Sequence, residues 1–234
     1  MALRVATGNT FKTIADEYLE KLKREGRAPT TLAKKQWLFE YAFADFGSRP
    51  AAQITAPELL ATLRKVEARG HYETARRLRS ACGEVFRYAI ATGRAERDPS
   101  VDLRGALTAP IVTHHAAITD PHAIGALLRA IDSYTGQPIT LAAMKLAPLT
   151  FVRPGELRHA EWSEVDVDAA MWTIPAAKMK MRRPHLVPLS RQSLAVLADL
   201  QPLTGHGQYL FPSLRGVNRP MSENTVNAAL RFFL

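Results

Sequence analysis

Four consecutive residues, Arg153-Pro154-Gly155-Glu156, are the place in this chain where chemistry with an anion is most readily put together. A residue ahead of proline is kept out of the α region. Pro154 can then open a helix at no cost in hydrogen bonding, because its missing N–H is one of the four that every helix start leaves unpaired. Arg153 is therefore expected at the junction between the apolar helical run Ile139 to Leu149 and a new helix. A guanidinium emerging next to a buried run needs a partner. Two are open: the Glu156 carboxylate, three positions on and so on the same helical side, and a phosphate outside the chain. A second group of cations, Lys178, Lys180, Arg182 and Arg183, lies between the alternating run Ala170 to Ile174 and the run His185 to Leu189. Those flanks predict two strands joined by a polar turn, with Pro188 tolerable at an edge or at the end. A hairpin so rich in charge suits contact with a phosphate backbone.

Other chemistries find little support. Cys82 is the single cysteine, so no intrachain disulfide and no thiolate-built zinc site is expected. The adjacent His114 and His115 have no further ligand at a helpful spacing and read as a solvated linker pair, so no metal and no cofactor is expected. No signal-peptide run opens the chain and nowhere do eighteen apolar residues follow one another, which predicts a soluble, cytoplasmic protein without a membrane partner. With 31 Lys and Arg against 22 Asp and Glu, the net charge of +9 favours a polyanion, nucleic acid first.

The 234 residues, 47% hydrophobic, can bury two modest cores. Residues 1–9 read as a tail. Thr10 caps a helix carrying Phe11, Ile14, Ala15, Tyr18, Leu19 and Leu22, stopped by Gly26. Thr30 or Thr31 starts a second, with Leu32, Trp37, Leu38, Tyr41 and Ala42 on one side and Lys34 and Lys35 on the other. Thr55 with Glu58 forms a capping-box signal for a third. The fourth runs from Tyr72 to Thr92 with Ala75, Leu78, Cys82, Val85, Phe86, Ala89 and Ile90 as its apolar stripe, and Arg76, Arg77 and Arg79 elsewhere on its surface. Residues 10–105 thus read as a four-helix unit. From Asp98 the periodicity is lost, and residues 106–118 are assigned as linker. Residues 119–234 form the second domain, with helix starts at Thr119-Asp120-Pro121, at Ser190 and at Ser222 to Thr225, and a short extended element at Tyr209 to Pro212. Residues 1–110 hold 19 Lys and Arg against 13 Asp and Glu, the remainder 12 against 9, so the positive excess gathers in the helical half.

The arginine stretch and the cationic hairpin, in this order and at this spacing, resemble the two boxes of the tyrosine recombinases, the phage-integrase family of site-specific DNA recombinases. The first box is Arg153-Pro154-Gly155-Glu156-Leu157 after its apolar helix. The second is Trp172 to Pro175 followed by Lys178 to Leu189, similar to the lysine-bearing hairpin of prophage-type integrases. The resemblance covers nearly the whole chain. It implies a mainly α fold, with a helical core-binding (SAM-like) domain followed by an α+β catalytic domain that carries a small antiparallel β-hairpin. Double-stranded DNA is the implied partner, with full-length integrase protomers as a second. Arg153 becomes a phosphate clamp oriented by Glu156. Counting back from Leu186-Val187-Pro188-Leu189 makes Lys180 the acid for the leaving 5′ oxygen, with Lys178, two residues away on the same strand face, as its competitor. Lys34, Lys35, Arg76, Arg77, Arg79, Arg182 and Arg183 become DNA contacts.

The pattern also departs from that family. Beyond Ser222 there is no His-x-x-Arg and no tyrosine, and Tyr209, the most C-terminal one, precedes that helix. The second arginine, the histidine base and the nucleophile of the family are therefore unmatched, and the arm-type DNA-binding domain that commonly precedes such a module is unmatched too. These departures predict an incomplete catalytic domain from a truncated or frameshifted product, one that binds DNA without cleaving it alone. A non-catalytic competitor or regulator of full-length integrase is the alternative, and a helical protein–protein adaptor the third.

Overall fold

The structure is a computed structural model, and it describes residues 8–111, 117–179 and 181–233, without the side chain of Phe232. His114, His115 and Lys180 lie outside the described residues. The chain divides into two compact units at residues 114 and 115. It is mostly helical with small antiparallel sheets.

The first unit holds α1 (Phe11–Arg24), α2 (Pro29–Phe46), α3 (Ala56–Glu67) and α4 (Tyr72–Ala91). Each start follows from local chemistry. The Thr10 hydroxyl accepts the Thr13 N–H at 3.2 Å, and Pro29 occupies the first turn of α2. Glu58 accepts both the main-chain N–H and the hydroxyl of Thr55, at 2.9 and 2.8 Å. The Thr55 main chain, then Arg49 and the Thr55 hydroxyl, hold the Glu58 carboxyl down at about 2. Gly26, Gly70 and Gly93 follow helix ends with positive φ, where a side chain would be strained.

Helix α4 packs against the other three. Phe11 meets Phe46 and Phe86 at centroid distances of 4.9 and 5.2 Å in the centre of the core. The expected stripe of α4 is buried from Ala75 to Ala89, whereas Ile90 is exposed. On α2 the inward residues are Leu38, Phe39, Ala42 and Phe46, and Trp37, expected in the core, stands half in solvent against the edge of Tyr41. Apolar residues on adjacent positions of α2 leave periodicity unable to choose between Trp37 and Phe39.

Residues 98–105, aperiodic in sequence, are not spacer. Asp98, Ser100 and Leu103 are buried against the helices. Asp98 takes the Arg87 guanidinium at 2.7 Å and the Ser100 N–H at 2.9 Å. A Cβ on Gly83 would stand 2.3 Å from the Ser100 hydroxyl, so a side chain there would force Ser100 out of its seat on α4.

The second unit holds α5 (Pro121–Asp132), α6 (Pro138–Thr150), α7 (Pro154–Arg158), β1 (Val165–Asp166), β2 (Met171–Ile174), β3 (His185–Pro188), α8 (Arg191–Thr204), β4 (Pro212–Ser213), β5 (Gly216–Pro220) and α9 (Thr225–Leu230). Helix α6 packs against α5, α7, α8 and α9. Asp120 and Ser190 cap α5 and α8 through the N–H groups of Ala123 and Ser193. Strand β2 pairs with β3 in the expected hairpin, Trp172 opposite Val187 and Met171 opposite Pro188. Pro188 closes an edge strand, and strand β1, unforeseen in the sequence, adds a third. The extended element around Tyr209 is an isolated bridge to Glu161, and β4 and β5 form a further hairpin.

Candidate nucleic-acid interface

Arg153 stands where its proline places it. Its backbone is extended at φ −67° and ψ 148°, at the N-cap of α7. The Glu156 carboxylate accepts its main-chain N–H at 2.9 Å and its guanidinium at 2.7 Å. The Glu156 side chain is 7% exposed and that of Arg153 62%. Burial pushes the Glu156 carboxyl up, but the main-chain N–H and guanidinium of Arg153 outweigh it and hold it below the usual range, helped by the charge of His185. The arrangement presents a solvent-facing guanidinium whose orientation is set by an ionised, buried carboxylate. A planar fork held in this way suits bidentate contact with a phosphate.

Lys178 has a different role from the one its spacing suggested. It ends a 3₁₀ turn, Ala176–Lys178, and does not lie on a strand, contrary to the strand placement expected for it. Its ammonium donates to the His159 carbonyl at 2.8 Å, to Glu161 at 2.6 Å and to Glu164. Glu164, 5% exposed at its side chain, also accepts the indole N–H of Trp172 at 3.1 Å. Burial alone would lower the Lys178 ammonium, yet the two carboxylates hold it above the usual lysine range. Lys178 thus fastens the hairpin to the segment leaving α7. Arg182 and Arg183 are exposed, and Arg182 takes a left-handed backbone at φ 53° in the turn.

The helical cations of the first unit divide in two. A cavity of about 450 Å³ between α2 and α4 is lined by Lys34, Lys35 and Arg77, so the two basic helices do share a groove. Lys35, however, is paired with Glu84, which also accepts the Tyr18 hydroxyl at 2.8 Å. Arg79 donates to the Leu103 carbonyl at 2.9 Å, and Arg77 pairs with Glu73 at 2.7 Å. Lys34 and Arg76 are exposed and form no ion pair among the described residues. Lys35 and Arg79 therefore serve the fold first.

Sequence reasoning missed Glu161, Glu164 and the aperiodic segment carrying Asp98. The only signal for the first two was a pair of carboxylates three apart beside Trp162, ahead of a lysine whose nearer partner is 14 residues away.

The description "Phage integrase central domain" matches residues 11–106, and "Phage integrase family" matches residues 118–233. The chain belongs to the phage integrase family of tyrosine recombinases. It is 38% identical over 236 residues to "Putative protein IntB" of Escherichia coli (strain K12), covering 95% of this chain and 59% of that one. It is 36% identical over 234 residues to the "Integrase" of Enterobacteria phage P4, covering 95% and 53%. The chain therefore spans little more than half the length of these curated relatives. Among solved structures, a lambda integrase dimer bound to a COC′ core site matches with a TM-score of 0.75 at 22% identity, covering 95% of this chain and 80% of that one. A lambda integrase tetramer bound to a Holliday junction matches at 0.74, also at 22% identity, covering 95% and 65%. The integrase fold is thus present in both units, a helical one followed by one with small sheets.

Proposed function

We propose that these 234 residues bind duplex DNA for site-specific integration or excision, with Arg153 holding a backbone phosphate and Glu156 setting its direction. Lys180 is the proton donor to the leaving 5′ oxygen in this reading. Lys34, Arg76 and Arg77 of the first unit and, separately, Arg182 and Arg183 of the second contact the duplex backbone, while Lys35 and Arg79 support the helices of the first unit. The observation that carries the reading is the half-tethered guanidinium of Arg153: 62% exposed, and bonded through Nη1 to a carboxylate that is itself 7% exposed. The buried carboxylate fixes one edge of the guanidinium and leaves the rest of its fork in solvent, open to an anion.

Breaking a phosphodiester without a metal also needs a nucleophile and an acid beside the cations. Within these residues no His-x-x-Arg and no tyrosine follow Ser222, so the covalent step is not assigned to them alone. Titrating a labelled duplex at two salt concentrations tests the binding. Roughly six phosphate contacts lower affinity about 1,000-fold between about 50 and 200 mM salt, and affinity indifferent to salt defeats the proposal. Incubation with a nicked suicide duplex tests the rest: a shifted band without a covalent adduct is expected.

A further inference from the structure

Phe151 ends α6 in a left-handed conformation, its N–H on the Ala147 carbonyl, yet carries there a large ring that packs on nothing. Its backbone is left-handed, at φ 55°, where it closes α6. That region is ordinarily left to glycine or asparagine at a helix end. Its ring is 93% exposed, so no burial offsets the conformation. Between Phe151 and Arg153, Val152 packs onto the core of the unit. With Val152 turned inward, both of its neighbours stand on the solvent side.

We infer that Phe151 is a DNA contact, its ring lying against the sugar and base edge next to the phosphate held by Arg153. This rests on the reading of Arg153 as a phosphate clamp. A cation on a phosphate carries no sequence information of its own. An apolar ring two residues away supplies a second point of contact, of the kind that proteins place against or between base steps. An exposed aromatic at a helix end that glycine would fill without strain gives the ring a role outside the fold in this reading. The neighbouring guanidinium and the net charge of +9 favour a polyanion over a second copy of the chain as that ligand.

The test compares Phe151→Gly and Phe151→Tyr in the full chain. Glycine relieves the left-handed backbone, so Tm is expected to rise by about 2–4 °C. Affinity for a short labelled duplex is expected to fall about tenfold, the loss typical of removing an aromatic from a nucleic-acid contact. The tyrosine variant retains the ring and is expected to bind as the parent does. Stability and binding thus move in opposite directions, which a folding defect does not produce. A glycine variant that binds the duplex as tightly as the parent overturns the inference while leaving Arg153 untouched, and one that melts lower removes its premise. A change in sedimentation without a change in DNA affinity assigns the ring to a protein interface instead. Arg153→Ala run alongside separates the two readings: if it too binds as the parent does, the clamp itself fails and this inference with it.

Discussion

Lys35 in the first unit and Lys178 in the second are both ammonium groups held by glutamate, but they do different things for their surroundings. Lys35 reaches from α2 to Glu84 on α4, where Tyr18 of α1 also arrives, and so joins helices that already share a phenylalanine-centred core. Lys178 joins a 3₁₀ turn, the His159 carbonyl after α7 and two carboxylates ahead of β1, segments that also meet through the core around Trp172. One ion pair lies between two long helices, and the other fixes turns and loops beside strands that are only two to four residues long. Charge in the helical unit is therefore distributed and replaceable. In the second unit it is concentrated at a few positions on which loop geometry depends.

The sharpest way to break this contrast is Lys178→Met. It leaves Glu164 and Glu161 without their cation, and removing one partner of a largely buried group costs about 3 kcal/mol. The second unit is expected to open at lower denaturant while the first keeps its hydrogen-exchange protection. Equal losses in Lys35→Met would erase the distinction. Next comes Glu156→Gln, which removes the charge that orients Arg153 at a cost of about 2 kcal/mol, with duplex affinity falling in parallel; unchanged affinity would detach orientation from binding. In the first unit, Arg79→Ala frees the Leu103 carbonyl and is expected to cost about 1 kcal/mol, read as faster exchange in residues 98–105 alone. Lys34→Ala should leave stability unchanged and reduce the slope of log affinity against log salt by about 0.9, one phosphate contact.

Acid gives a further comparison. Glu58 is held at about 2 in the folded chain against an ordinary 4.5. A depressed carboxyl contributes stability that is fully present above the unfolded value and is lost as pH falls through the folded one. Between pH 4.5 and about 2 the first unit should weaken, and Glu58→Gln should flatten that limb in a pH series of thermal melts.

Much of the fold was legible because it is written locally. Thr10, Asp120 and Ser190 act within three residues of themselves, and Arg153 owes its extended backbone to the next residue. What escaped the sequence is set by partners far along the chain. By spacing alone Lys178 reads as a strand residue beside Lys180, because spacing says nothing about carboxylates 14 and 17 residues earlier. The choice of Trp37 over Phe39 failed for a related reason: on a helix apolar over adjacent positions, the facing helix decides which ring goes inside. Two-residue strands such as β1 carry no alternation to detect.

The seat of Ser100 on Gly83 has a practical consequence for anyone cutting this chain into pieces. A fragment ending at residue 97, where helical periodicity stops, would strip a lid from α4, leave Arg87 without Asp98 and bare the groove that only a glycine keeps open. One that continues through residue 106 retains its own closure. For this protein, the natural scissors mark falls after the last aperiodic residue that is covered, not after the last turn of helix.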